Sequence, residues 1–227
     1  NKSYSIGKLL EVVEASSERT EPFCKSYKRC GGCGLQHMTY EAQLKFKTDT
    51  VRENIKRIAK LEDVIVHNTI GMSNPLSYRN KAQYPVGLLR DQLAVGFYAK
   101  RTHDIIDNED CGIQGGVSDK VRSIVKEYLI ENEVSIYDEK SGNGLIRHVV
   151  TRYGFKTREV MVVIVINGND IPNKDDLIKR LTSSVPQTKS IYLNINKRRT
   201  NVILGNKNVK IFGEDTISDY IGRFKFK

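Results

Sequence analysis

Apolar positions recur along this chain with two different periods, and the switches between them mark out its elements. Over residues 40–59, Leu44, Val51, Ile55 and Ile58 fall at helical spacing, with Thr39 placed to cap the first turn. Lys45, Lys47, Arg52, Lys56 and Arg57 lie off that stripe, so the helix is amphipathic and basic. After a loop over Gly71-Met72-Ser73-Asn74-Pro75 the period becomes two, and Tyr78 to Val86 reads as a strand with Arg79, Lys81 and Gln83 on one face. Leu93 to Tyr98 is expected to pair with it as a hairpin, and Thr102 to Asp107 is expected as a further short strand. Val117, Val121, Ile124, Val125 and Tyr128 predict a second helix ending around Asn132.

Two strands, Gly144 to Tyr153 and Arg158 to Asn167, flank a turn at Gly154-Phe155-Lys156-Thr157. The second is almost wholly apolar and is expected at the centre of a sheet. A helix over Lys174 to Thr182, a strand over Ser190 to Asn196, and a hairpin of Thr200 to Leu204 with Val209 to Phe212 follow. Tyr4 to Glu14 reads as one more strand, as does the alternating basic and aromatic segment Ile221 to Lys227. Helices alternating irregularly with hairpins predict an α+β fold, a mainly antiparallel sheet with flanking helices. A strand reaching the last residue, together with a start at Asn1 rather than Met, suggests a piece of a longer protein.

Composition narrows the class. The longest apolar run, Val160 to Ile166, falls far short of the roughly 18 residues a membrane span needs. No basic segment followed by an apolar one stands at the start, so a cytoplasmic, non-membrane protein is expected. Thirty-seven Lys and Arg against 27 Asp and Glu leave a net charge of +10. A polyanion such as nucleic acid is the natural partner of that surface.

The four cysteines change the picture most. Cys24, Cys30 and Cys33 form C-x5-C-x2-C inside a glycine-rich stretch, and Cys111 stands alone much further along. Without a secretion signal reduced thiols are expected, so metal binding leads over disulfides. Structural zinc sites usually pair two close C-x2-4-C knuckles. Three close thiols plus a distant fourth instead suit a [4Fe-4S] cluster, and glycines 31, 32 and 34 let backbone N–H groups approach sulfur. Zinc remains open from spacing alone, as does Cys111 as a small buried apolar residue.

These residues resemble the iron-sulfur-containing uracil-5 RNA methyltransferases. All four cysteines match that family's cluster signature, Gly31-Gly32-Cys33-Gly34-Leu35-Gln36-His37 resembles its GGC-x-x-QH segment, and Tyr78-Arg79-Asn80-Lys81 and Leu145-Ile146-Arg147-His148-Val149-Val150 resemble two of its strands. The resemblance implies Cys24, Cys30, Cys33 and Cys111 as ligands of a [4Fe-4S] cluster, and with no second cofactor or redox-partner motif in the sequence a structural clamp is expected rather than electron transfer. It implies the end of an OB-type TRAM barrel over residues 1–20, a cluster loop and first part of a central domain over 21–115, and the rest of an RNA-recognition domain over 116–227.

In such enzymes a thiolate adds to C6 of uracil, the enolate takes a methyl group from S-adenosylmethionine, and a base removes the C5 proton. The domain carrying those groups has no counterpart here, so the chain alone is expected to be catalytically inactive, with S-adenosylmethionine held by the missing part. What remains is RNA handling, with ribosomal RNA favoured over transfer RNA and a monomer expected. Arg79 and Lys81 on one strand, and Arg147, His148 and Arg152 on another, are expected to form a basic surface, with Gln36 and His37 hydrogen-bonding an RNA edge. A zinc-dependent RNA-binding module and a small iron-sulfur redox protein are the competing classes.

Overall fold

A computed structural model describes residue 5 and residues 7–227. The described chain divides into two compact units, one comprising the residues through Phe23 with Gly34–Ser73, the other Cys24–Cys33 with Asn74–Lys227.

In the first unit the single helix α1, Tyr40–Arg57, is capped as its sequence predicts, with Thr39 Oγ1 accepting the N–H of Ala42 at 3.3 Å. Its buried positions are Ala42 and Thr48. Val51 and Ile58 are exposed, so the apolar stripe read from the sequence is covered only in part. The strand expected over Tyr4 to Glu14 lies partly outside the described residues, and its described part, residue 5 and residues 7–14, is not a strand. A ladder needs a hydrogen-bonded neighbour, and none is present for it among the described residues, where Leu10 and Val13 stand 85% and 92% exposed. Accordingly no barrel is found among them.

The second unit is built from β1 (Lys81–Leu89), β2 (Gln92–Val95), β3 (Phe97–Tyr98), β4 (Ile105–Ile106), α2 (Gly116–Glu131), β5 (Ile146–Tyr153), β6 (Val160–Ile166), α3 (Lys174–Ser184), β7 (Thr188–Ile195), β8 (Lys207–Gly213), β9 (Asp219–Ile221) and β10 (Phe224–Phe226). Six strands form one sheet in the order β2-β1-β5-β6-β7-β8. All its pairs are antiparallel except β6 with β7, which α3 joins as a crossover. The α+β fold with a mostly antiparallel sheet is therefore as expected, with β6 in the interior of the strand order.

Burial explains the arrangement. Val121, Val125, Tyr128 and Leu129 of α2 and Leu177 and Leu181 of α3 meet Tyr84, Val149, Val162, Ile164, Ile191 and Leu193 from the sheet in one core. Thr151 in β5 donates to Ser118 on α2 at 2.8 Å, satisfying two hydroxyls inside the packing.

Three expectations need correction. Arg79 precedes β1, because Ser77 and Arg79 donate to the carbonyls of Gly112 and Ile113 and so run beside the segment after Cys111. Residues 200–204 are a loop rather than a strand. Asn196 Nδ2 donates to the carbonyls of Val202 and Ile203, and β8 takes its ladder from β7 instead. The terminal alternating segment is not one strand but half of a hairpin, β9 against β10, turning at Gly222 with φ +59°.

Candidate metal centre and nucleic-acid interface

No disulfide joins the four cysteines, which all lie within the second unit; Cys30 is buried and the others are half-buried. Cys24 and Cys30 are joined by a tight turn in which Tyr27 N donates to Cys24 O at 3.0 Å and Cys30 N to Ser26 O at 2.7 Å. Gly31 N donates to Tyr98 O and Lys100 N to Arg29 O, each at 3.0 Å, which fastens the loop to the end of β3. Lys100 stands over the Tyr27 ring, 5.0 Å from its centre.

Gly32 N donates to Cys30 Sγ at 3.4 Å, and the main-chain N–H groups of Ile113 and Gln114 act on the Cys111 thiol. Burial pushes the Cys111 thiol up; those two N–H groups pull it down, and the charges of Asp119 and Cys33 push it up again. The influence of Cys33 on Cys111 means that the distant fourth cysteine and the loop share one electrostatic neighbourhood. The donor set, four thiols with a backbone N–H at one of them, fits a cluster or a soft metal ion. As they stand, no three His, Cys, Asp or Glu side chains among the described residues converge closely enough to enclose a metal ion.

Cys111 is supported from the core by residues that sequence reasoning did not single out. Asp119, in the first turn of α2, accepts the Cys111 N–H at 3.3 Å with one oxygen and the hydroxyl of Tyr84 at 3.1 Å with the other. Burial, the largest influence, raises the Asp119 carboxyl, while the Cys111 N–H and the Tyr84 hydroxyl hold it down. An acid opening a helix soon after a cysteine was the available signal.

The basic residues separate into two groups. Lys81 and Arg152 are Cα partners in the β1–β5 register, so their side chains stand together on one sheet face. Both are exposed, and neither forms an ion pair among the described residues. Arg79 is half-buried just outside the strand, bridged to Gln114.

Arg147 and His148 do not join this surface, because both are buried, at 5% and 7% exposure. A bulge between Ile146 and His148 redirects Arg147, whose Nη1 donates to the carbonyls of Asn196 at 2.8 Å and Arg198 at 2.7 Å and whose Nη2 donates to that of Thr200 at 3.3 Å. Its guanidinium lies 4.3 Å from the centre of the Tyr137 ring. His148 is depressed to about 4, first by burial and then by Arg147, against a small opposing pull from Glu139. Gln36 and His37 are half-buried in the first unit, where the His37 carbonyl accepts the N–H of Thr20. No helix of the described residues is long and apolar enough to cross a membrane.

The chain is similar to known proteins over its whole length. No family model matches the chain. Across its full length it is 49% identical to an uncharacterised RNA methyltransferase of Caldanaerobacter subterraneus subsp. tengcongensis, covering 50% of that protein. It is 45% identical to another from Clostridium acetobutylicum, again covering 50% of it. The chain thus spans about half the length of the curated relatives it matches, and it is homologous to the N-terminal half of RNA methyltransferases.

A solved structure is similar in fold. The tRNA (uracil-54, C5)-methyltransferase of Pyrococcus abyssi, determined in complex with S-adenosyl-L-homocysteine, superposes with a TM-score of 0.69 at 26% identity, over 95% of this chain and 47% of that one.

Proposed function

We propose that this chain is the substrate-handling half of an RNA uracil-5 methyltransferase, holding RNA on its basic sheet face and carrying a [4Fe-4S] cluster on Cys24, Cys30, Cys33 and Cys111. Methyl transfer from S-adenosylmethionine is the work of the other half, so the chain alone turns over no substrate. The RNA reading is carried by the Lys81–Arg152 pair, two adjacent exposed cations without acidic partners among the described residues, in a chain of net charge +10 homologous to RNA methyltransferases.

Each side chain has a definable task. Lys81 and Arg152 contact phosphate and set the RNA's position without reading sequence. Arg79, Gln36 and His37 add further contacts. Arg147 and His148 act from inside the fold, shaping the strand rather than touching phosphate. The cluster, when bound, cross-links the loop at 24–33 to the segment at 111 as a structural clamp. Asp119 and Tyr84 hold the Cys111 main chain for that purpose.

Two measurements test this. Anaerobic purification of the chain and of Cys30→Ser, with iron, sulfide and zinc analysis, is expected to give about four irons per chain and a broad absorption near about 400 nm, both lost on substitution. Stoichiometric zinc without iron overturns the cluster and favours a zinc RNA-binding module. Titration with ribosomal and transfer RNA fragments across salt concentrations is expected to show that Lys81→Ala with Arg152→Ala reduces the salt slope by about two. An unchanged slope removes that face from the RNA interface.

A further inference from the structure

A cavity of about 350 Å³ in the second unit lies between the far end of β1, the segment after β3, the segment around Tyr137 and the start of β5. We propose that it receives one unstacked base of the RNA, and that its chemistry selects guanine. The proposal rests on the reading of this chain as an RNA-holding half, and it deepens that reading by adding base recognition to a face that otherwise contacts only phosphate.

The size and walls suit a planar ligand. About 300 Å³ is the lower range of small-ligand pockets, and a single base with its sugar fits it. Tyr98 and Tyr137 line the cavity, each already engaged in a stack: His103 lies over Tyr98 with ring centres 4.9 Å apart, and Arg147 over Tyr137 at 4.3 Å. Unstacked RNA bases are taken up on such aromatic and guanidinium surfaces.

The polar groups choose the base. Asp104, Asp138 and Glu139 line the cavity together with Lys140 and Arg147, and their carboxylates accept from hydrogen-bond donors. Asp138 is occupied by the N–H groups of Lys140 and Ser141. Glu139 is half-exposed and lies 2.7 Å from His103 Nδ1. Guanine carries the matching donors, an N1–H and an amino group side by side for one carboxylate. Adenine and uracil lack the paired donors.

The test is fluorescence polarisation of the full chain with short single-stranded oligouridylates that carry guanine, adenine or uracil at one central position. The guanine oligonucleotide is expected to bind roughly five-fold to a hundred-fold tighter than the other two. Glu139→Gln should erase that preference and leave oligouridylate affinity unchanged. Leu88→Trp, at an exposed position on the cavity wall, should erase it by filling the space. Equal binding of all three by the unaltered chain, with the Lys81 and Arg152 dependence intact, overturns the base pocket while the RNA reading stands. A preference that survives both substitutions also overturns it, and the cavity is then a water-filled void. No binding of any oligonucleotide overturns both readings together.

Discussion

The carboxylate of Asp119 joins Cys111 to the core, accepting its main-chain N–H at 3.3 Å while its second oxygen holds the Tyr84 hydroxyl at 3.1 Å. Tyr84 is fully buried and its hydroxyl is raised strongly, by burial first and then by the Asp119 charge, so it acts only as a neutral donor. Tyr84→Phe keeps the ring packing and leaves the carboxylate short of one partner. The expected loss is about 1–2 kcal/mol, seen as a lower urea midpoint with an unchanged slope. No loss would mean that the Asp119 bridge to Cys111 stands without the tyrosine.

Arg147 carries a prediction that separates a structural arginine from an RNA contact. Its guanidinium serves the carbonyls of Asn196, Arg198 and Thr200 and lies on Tyr137. Lysine keeps the charge but cannot reproduce a planar fork that reaches several acceptors and stacks on a ring. Arg147→Lys should therefore destabilise the chain by roughly 2–4 kcal/mol, since each buried carbonyl left unpaired costs about 1–3 kcal/mol. Thermal unfolding measures this. Weaker RNA binding with unaltered stability would return Arg147 to the surface role first read from its sequence.

That misplacement shows where sequence reading stops. The helix over Val117 to Tyr128 and the strand over Val160 to Ile166 were legible because their apolar periods match the faces they bury. Arg147 and His148 read as surface residues because alternation along β5 takes no account of the bulge at Ile146. The β1–β2 hairpin was expected, but the position of its turn was not legible: Arg90 and Asp91 both adopt positive φ, at 51° and 62°, without the Asn-Gly signal that usually marks such turns. The cysteine pattern was visible in spacing alone, whereas the support of Cys111 by Asp119 and Tyr84 depends on a tertiary contact that no local pattern encodes.

Two glycines of the second unit should respond in opposite directions to alanine. At Gly205 a Cβ would stand 2.0 Å from the Ile195 carbonyl oxygen, a main-chain atom that cannot turn aside. Gly205→Ala is expected to cost about 1–3 kcal/mol or more through forced backbone movement. Gly116 opens α2, and a Cβ added there would meet nothing within 4 Å. Gly116→Ala should stabilise by about 0.4–1 kcal/mol by restricting the unfolded chain. Urea midpoints of the two variants, moving apart around that of the parent chain, are the check.

His148 predicts a pH dependence with a definite sign. Burial, aided by Arg147, lowers its imidazole to about 4 from 6.5. Between those values the unfolded chain binds a proton that the folded chain refuses, so the unfolded state gains as pH falls through this window. The contribution of His148 is thus fully present above about 6.5 and lost as pH drops towards about 4, a change of roughly 3 kcal/mol. His148→Gln cannot titrate and should flatten this part of the profile, while carboxylates affect both chains alike. Urea unfolding of the two proteins at several pH values between these limits gives the difference directly. A constant difference across the window would mean that the folded chain protonates this imidazole as readily as the unfolded one.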